Sequence, residues 1–234
     1  MLFNKKSLDC IAVFASTDDA PRYMLQGIHV EASGNLVATD GHMLGILTQG
    51  DSLEESDFPS VGQTEGAQPP FAPCTLDMAG MKALTKALPK KSRLPILDYA
   101  LLDHTASNEN GKAVFHVTDC DNPQRINVAK MDGNFPNYHA VMPKDEPVYR
   151  IVFDAELLER LAKAAKILCK GKGQVPVEMA FTASGLQAMT ATISNGDGQI
   201  LTAVVMPMKG QRAREAYGLL VPAIAEPVRS ELSA

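Results

Sequence analysis

The sequence predicts an α+β fold in which one unit, a strand followed by a helix and three more strands, occurs three times. Two observations support this prediction. Short apolar stretches alternate with turn residues, which is typical of antiparallel strands, and one stretch in each unit has helical periodicity instead. Such a repeat places the helices on one face of a curved antiparallel sheet. The 234 residues, 45% of them apolar, suffice for a sizeable core.

The first two units are predicted to form one domain over residues 1–143. In the first unit, residues 1–50, Ser7 is expected to cap a helix that ends at Ala15. The strands after this helix are expected at Tyr23–Ala32, Leu36–Thr39 and Met43–Thr48. Residues 51–70 are polar, acidic and rich in Gly, Ser and Pro, which predicts a long exposed loop between the two units.

The second unit spans residues 71–143. Its helix is predicted at Ala79–Leu88, because Pro89 cannot continue a helix. Its strands are expected at Cys74–Met78, Leu97–His104, Ala113–Thr118 and Arg125–Met131.

The third unit, residues 144–208, is predicted to form a half domain, followed by a tail at 209–234. Asp154 is expected to cap a helix over Ala155–Lys170, whose leucines recur at helical spacing. Its strands are expected at Tyr149–Phe153, Val175–Thr182, Leu186–Ile193 and Ile200–Met208.

Composition favours a cytoplasmic protein. A run of about 18 apolar residues is missing, so no membrane span is expected, and the N-terminus lacks the pattern of a signal peptide. The four cysteines are scattered without metal-ligand spacing, so we expect free thiols and no bound metal or cofactor. The net charge of −5 argues against broad nonspecific binding of nucleic acid.

Three segments carry a resemblance to a known family, and they are residues 22–28 with 36–44, residues 133–143, and Val204–Met208. In this order they resemble the start of the middle domain, the linker that leaves this domain, and the C-terminal strand of the bacterial DNA polymerase III beta subunit, the sliding clamp. The family has two such repeats per domain and closes a ring from twelve. This chain resembles the middle domain plus the last half of the third domain, which amounts to three repeats. Four copies would therefore supply twelve.

The resemblance implies a pocket into which the family's partner proteins insert a short apolar peptide. The residues at the corresponding positions would form an apolar slot beside a tight turn. They are Thr39, Gly41, His42, Leu44, Pro136, Val141, Val204 and Met206. The alternative is that these are ordinary core and turn residues. Met43 and Ala140 stand where the family often has a basic residue, which would alter the choice of partner.

The resemblance also implies that the helices line the hole of the ring and face DNA phosphates. The basic residues of the second and third helices suit contact that does not depend on DNA sequence, and they are Lys82, Lys86, Lys90, Lys91, Arg93, Arg160, Lys163, Lys166, Lys170 and Lys172. Lys163, Lys166 and Lys170 are expected to share one helical face. The first helix is expected to carry no basic residue. The alternative is that these lysines form a solvated helix face.

The leading hypothesis is a processivity factor, an accessory subunit of a DNA polymerase and not an enzyme. It would surround or cradle double-stranded DNA as a homo-oligomer, with a tetrameric ring as one arrangement, and tether a polymerase or repair protein. The alternative is an adaptor or decoy that binds the partners' peptides without encircling DNA. A weaker third hypothesis is an enzyme with an unrecognised site. Asp119-Cys120-Asp121 precedes Asn122-Pro123, which favours a turn over a metal site.

Overall fold

The computed structural model describes residues 1–17, 23–48, 58–59, 70–89, 94–109, 111–120, 122–145, 151–171, 173–181 and 188–208. The chain divides into two compact units, which we call unit 1 (Met1–Met142) and unit 2 (Pro143–Ala234).

Unit 1 contains two copies of the predicted repeat. The elements of the first are β1 (Leu2–Asn4), α1 (Lys5–Ala12), β2 (Gly27–Val30), β3 (Leu36–Thr39) and β4 (Leu44–Leu47). Those of the second are β5 (Cys74–Asp77), α2 (Met78–Ala87), β6 (Tyr99–Asp103), α3 (His104–Glu109), β7 (Lys112–Val117) and β8 (Gln124–Met131). Short 3₁₀ turns lie at Tyr23–Gln26, Pro95–Asp98 and Tyr138–Val141.

The two repeats of unit 1 exchange their first strands. We call the strand that precedes the first helix of a repeat its lead strand, and the three later strands its meander. The strands form one antiparallel sheet in the order β1-β6-β7-β8-β5-β2-β3-β4. The lead strand β1 pairs with β6 of the second repeat, with Leu2 opposite Leu101. The lead strand β5 pairs with β2 of the first repeat, with Thr75 opposite His29.

One apolar core lies between this sheet and its helices. The helices α1 and α2 contribute four side chains that are at most 2% exposed, Leu8, Ile11, Met81 and Leu84. Because each pair is three residues apart, both side chains of a pair lie on the same helix face. Phe3 of the lead strand β1 joins this core and packs edge to face on Phe115, with 6.3 Å between ring centroids.

Helix α1 begins three residues earlier than the sequence predicts, and it ends at Ala12 instead of Ala15. Asn4, and not Ser7, is the N-cap, because its side-chain oxygen accepts the N–H of Ser7 at 2.7 Å. Lys5 and Lys6 therefore lie in the first turn, where the helix dipole disfavours positive charge. For this reason the sequence does not indicate that the helix begins at Lys5. The expectation that the first helix carries no basic residue is wrong.

The strand predicted at Leu97–His104 is shorter, because a 3₁₀ turn precedes it and α3 follows it. Asp103 caps α3 by accepting the N–H of Ala106 at 2.9 Å. The same carboxylate lies 3.2 Å from the ring of His116, in a pair that is largely buried. A helix of fewer than two turns gives no apolar periodicity for sequence analysis to detect.

Most of the loop predicted at 51–70 lies outside the described residues, as does the tail at 209–234. Phe58 is an exception, and its side chain is only 3% exposed. At this position the expectation of an exposed loop is wrong, because the aromatic ring is buried.

The described residues of unit 2 form one repeat. Its elements are α4 (Ala155–Leu168), β9 (Glu178–Ala180), β10 (Met189–Ser194) and β11 (Ile200–Val205). The strands form an antiparallel sheet in the order β11-β10-β9. Its core joins the buried face of α4 to the sheet through Leu161, Ala165, Cys169, Met189, Ala191, Ile193 and Val205. As predicted, Asp154 caps α4, by accepting the N–H of Glu156 at 2.9 Å.

The lead strand of unit 2 is less regular than the sequence predicts. Residues 151–153 of the strand expected at Tyr149–Phe153 are not part of a ladder. They make one backbone bond to the end of the meander, since the N–H of Met208 donates to the carbonyl of Val152 at 2.7 Å. The α+β class and the repeated unit are confirmed, and the predicted division into domains stays a prediction.

Candidate functional site

The turn between β3 and β4 is held rigid by its own side chains. The hydroxyl of Thr39 donates to the carbonyl of Met43 at 2.6 Å and accepts the N–H of Gly41 at 3.0 Å. The carboxylate of Asp40 accepts the N–H groups of His42 and Met43, both at 2.7 Å. Gly41 has φ +91°, a conformation that side chains rarely adopt. The sequence Thr-Asp-Gly-His therefore fixes one turn shape.

The side chains of this turn remain available to a ligand. His42 is exposed and Met43 is 61% exposed, whereas Leu44 is half-buried. The pKa of Asp40 is lowered because its carboxylate accepts the N–H of Met43 and that of His42. The carboxylate thus stays ionised, and the turn stays bonded, below the pH at which an ordinary aspartate takes up a proton.

The segment after β8, residues 132–142, is fastened to β2 by two aromatic side chains. The ring of Phe135 stacks on His29, with 4.8 Å between centroids and 13° between planes. The hydroxyl of Tyr138 donates to the carboxylate of Glu31. The ring of His29 is held in turn by Thr75, with 3.2 Å between Nδ1 and Oγ1. Pro136 and Val141 therefore project from a segment whose position is fixed.

Charges at this attachment are set by burial and by the Tyr138 hydroxyl. The hydrogen bond from Tyr138 is the main reason that the pKa of Glu31 is lowered. Burial, together with the Glu31 charge, raises the pKa of Tyr138 to about 12. The pKa of His29 is lowered because its ring is buried. At neutral pH the three groups are a carboxylate, a phenol and a neutral imidazole, a combination that keeps the attachment intact.

A cleft of about 680 Å³ opens between this segment and the strands β2 and β5. Its walls include His29, Glu31, Cys74, Lys130 and Tyr138. Burial raises the pKa of the Cys74 thiol to about 11. Because the thiolate is the reactive form of cysteine, Cys74 is not an activated nucleophile in this cleft.

A 3₁₀ turn, Tyr23–Gln26, connects the two parts of the candidate site, and the strand predicted at Tyr23–Ala32 begins only after it. A methyl group at Gly41 would lie 3.8 Å from Cδ1 of Leu25, and one at Gly133 would lie 3.4 Å from Sδ of Met24. Sequence analysis missed these two side chains. The signal was present, because residues 22–28 belong to one of the three segments that carry the resemblance.

The predicted docking residues are mostly exposed. Val141 is 72% exposed in unit 1, while Val204 and Met206 are 65% and 62% exposed in unit 2. The alternative that they are ordinary core residues is wrong for these three side chains. Thr39, Gly41, His42, Leu44, Pro136 and Val141 lie in unit 1, and Val204 and Met206 lie at the end of β11 in unit 2. Their meeting in one pocket stays a prediction.

The predicted DNA-facing residues of unit 1 that the structure describes lie on an exposed helix surface. Lys82 and Lys86 of α2 are exposed, and so is Lys6 of α1. Lys5 is turned toward α2, because its ammonium group donates to the carbonyl of Thr85. Lys90, Lys91 and Arg93 of the predicted DNA-facing set lie outside the described residues.

The predicted DNA-facing residues of unit 2 are divided between α4 and the segment after it. Arg160, Lys163 and Lys166 are exposed on α4. The helix ends at Leu168, so Lys170 follows it and does not extend the helical face as predicted. Lys163 forms an ion pair with Glu159 at 2.8 Å, which reduces the positive field there. Lys172 lies outside the described residues.

The described part of the chain shows no sign of a metal site or a membrane span. Within it, no group of three His, Cys, Asp or Glu side chains is placed to hold a metal ion. None of its helices has the length and apolar composition that crossing a bilayer requires.

Comparison with known proteins gives one consistent fold. The sequence matches no family model. It is 22% identical over 218 residues to the beta sliding clamp of Synechocystis sp. (strain ATCC 27184 / PCC 6803 / Kazusa), which covers 86% of this chain and 52% of that protein. The chain thus spans about half the length of this relative.

Solved structures of bacterial clamps are similar over most of this chain. The DNA polymerase sliding clamp from Bacillus subtilis has a TM-score of 0.62 at 17% identity, covering 89% of this chain and 49% of that one. The beta subunit from DNA polymerase of Streptococcus pyogenes has a TM-score of 0.61 at 14% identity, covering 89% and 50%. These similarities confirm the sliding-clamp fold and the resemblance to a shortened clamp.

Proposed function

We propose that this clamp-fold chain is a processivity factor of a DNA polymerase, without catalytic activity of its own. It surrounds or cradles duplex DNA as a homo-oligomer. It tethers a polymerase or repair protein by docking a short apolar peptide of that partner. A protein held in this way rebinds DNA before it diffuses away, because tethering raises its effective concentration.

One observation carries the docking part of the proposal. Apolar side chains are exposed on backbone that is rigid: Met43 on the bonded β3–β4 turn, and Val141 on the segment that Tyr138 fastens to β2. Rigid apolar groups lose little conformational entropy when a ligand covers them. Exposed apolar patches of this kind are typical of interaction sites.

The DNA part of the proposal rests on charge position. The chain is acidic overall, with a net charge of −5, yet the solvent side of α2 presents Lys82 and Lys86, and α1 adds Lys6. Flexible ammonium groups on helices suit phosphate contacts that carry no sequence information.

The docking proposal is tested by anisotropy of a short fluorescein-labelled peptide with Leu and Phe side chains. Val141→Asp should weaken binding about tenfold or more, because a carboxylate replaces an apolar contact. Val13→Asp is the matched control, since Val13 is 80% exposed at the end of α1 and far in sequence from the site. Val204→Asp should weaken binding as Val141→Asp does. Equal affinities in all variants would contradict the proposed pocket.

The DNA proposal is tested by retention on a nicked circular plasmid, before and after linearisation. A clamp is retained on circles and slides off linear DNA. Replacing Lys82 and Lys86 by Gln should lower the salt slope by about one per lysine. The same change at Lys112 and Lys144, which are exposed outside the helices, is the control. Peptide binding without any DNA retention would favour the adaptor instead.

A further inference from the structure

Unit 1 shows how two repeats complete each other. Each lead strand pairs with the first meander strand of the other repeat: β1 with β6, and β5 with β2. The lead strand β5 also pairs with the last strand of its own repeat, with Thr75 opposite Met131. A complete repeat therefore has a neighbour along the outer edge of its first meander strand.

The single repeat of unit 2 has the same register. Val152 lies two residues before the cap Asp154, as Thr75 lies two residues before the cap Asp77. Val152 bonds to Met208, as Thr75 pairs with Met131. The repeat is thus built like those of unit 1 on this side.

The outer edge of β9 corresponds to that of β6. In unit 1, Phe115 pairs with Ile126, which lies five residues before Met131. In unit 2, Ala191 pairs with Ala203, which lies five residues before Met208, so Ala191 is the counterpart of Phe115. Their partners on the next strand are Leu102 and Met179. Met179 is therefore the counterpart of Leu102, and Glu178 is the counterpart of Leu101, which faces the lead strand residue Leu2.

Exposure differs sharply between these counterparts. Leu101 and Leu102 are 2% and 0% exposed, whereas Met179 is 46% exposed. Glu178 and Ala180 are exposed as well, and the sheet of unit 2 ends at β9 within the described residues. An edge strand presents a row of unpaired N–H and C=O groups and is a template for a further strand, and β9 also exposes the apolar side chain of Met179.

We infer that a second copy of this chain covers this edge. Residues 151–153 of the second copy pair with β9 of the first, and residues 151–153 of the first copy pair with β9 of the second. Each copy has both the lead segment 151–153 and the open edge of β9, so a twofold axis allows both pairings to form at once. The register of unit 1 places Val152 opposite Glu178 of the second copy. Two half domains then form one complete two-repeat domain. This inference depends on the repeat geometry alone and goes beyond the proposed DNA function.

The register is tested by oxidative cross-linking of the full chain, without DNA. Cys10 and Cys120, the exposed native cysteines, are first replaced by Ser. Opposed residues of an antiparallel pair have Cα atoms about 4.5–5.5 Å apart, within disulfide range. Val152→Cys combined with Glu178→Cys should yield a covalent dimer on a nonreducing gel. The control pair, Val152→Cys with Met179→Cys, should not, because a shift of one residue turns the side chain to the other face.

The interface is tested by the mass in solution, measured by light scattering at micromolar concentration. Met179→Lys should weaken self-association by about a hundredfold, because the counterpart position is fully buried and an unpaired charge there is costly. Ile200→Lys, at a position 68% exposed on the last strand, should leave the mass unchanged. A monomeric wild-type chain would overturn the inference. So would a dimer that persists in Met179→Lys or that cross-links equally through both cysteine pairs.

Discussion

Unit 1 and unit 2 use the same repeat and differ in what lies beside its first meander strand. In the second repeat of unit 1 that strand is β6, which pairs with the exchanged lead strand β1, and its Leu102 is 0% exposed. In unit 2 it is β9, and Met179 at the matching position is 46% exposed. The burial of a first meander strand therefore depends on the strand that lies beside it. In unit 1 each repeat is completed by the lead strand of the other.

The comparison also separates two sources of stability. The meander and the helix bury each other within one repeat, as Leu161 and Ala191 do in unit 2. The exchanged strand adds contacts between repeats, as Phe3 does on Phe115. Variants at matching positions of the two units measure the second source against the first.

The largest effect is expected at the lead strands. Phe3→Ala in β1 should cost about 3–5 kcal/mol of unfolding free energy, because the ring is 1% exposed and its loss leaves a cavity. Phe153→Ala, at the matching position before Asp154, should cost less, because Phe153 is only half-buried. Urea unfolding followed by circular dichroism, at a concentration that keeps the chain monomeric, measures both. Equal losses would show that strand exchange contributes nothing to unit 1.

A smaller effect is expected from the buried pair of Asp103 and His116. Asp103→Ala should cost about 1–3 kcal/mol, because the N–H of Ala106 and the ring of His116 lose their acceptor. Burial alone would raise the pKa of Asp103, but the bonds from Ala106 and His116 lower it overall.

The sign of the pH dependence follows from this lowered pKa. The Asp103 carboxylate stabilises unit 1 above the ordinary aspartate pKa of about 3.9 and loses this contribution as the pH falls through its lower value in the folded state. Urea unfolding between neutral and acid pH should show this loss in the wild type and a flatter profile in Asp103→Ala. Parallel profiles would contradict the assigned role.

A loss of about 1 kcal/mol is expected for Tyr138→Phe, because one hydrogen bond to a carboxylate disappears. The pKa of Glu31 should rise toward its ordinary value, since the Tyr138 hydroxyl is the main cause of its lowering. A titration by NMR measures this pKa, and the urea midpoint measures stability. An unchanged pKa of Glu31 would show that Tyr138 does not fasten the segment in solution.

The smallest effect is expected for Glu159→Gln on α4. The ion pair with Lys163 is exposed on both sides, so its removal should change stability by at most about 0.5 kcal/mol. The freed ammonium group should instead strengthen retention on DNA slightly at low salt. Filter binding at two salt concentrations measures this change. A larger loss of stability would mean that the pair is shielded from solvent.

The sequence predicts helices and meanders well because their signals are local. The apolar spacing around Leu161 and the cap Asp154 define α4 without any knowledge of its surroundings. The start of α1 is harder, since Lys5 and Lys6 occupy a first turn that the helix dipole disfavours. Helix α3 is too short to give a period.

The candidate site is only partly predictable for a related reason. Thr39, Gly41 and His42 lie in one short turn, and their hydrogen bonds follow from the local sequence. The hydrogen bond between Tyr138 and Glu31 joins residues 107 positions apart, so no local sequence pattern predicts it. Strand exchange is hidden in the same way, since a three-residue strand such as β1 gives almost no signal.

Strand exchange also sets an order of events during synthesis. Leu101, the partner of Leu2 in β1, is made about a hundred residues after it. At typical rates of translation this separation lasts about 5–20 s. Throughout that interval β1 lacks its partner strand, and Phe3 lacks its contact with Phe115. The pairing of β1 with β6 can therefore form only after the second meander has been made.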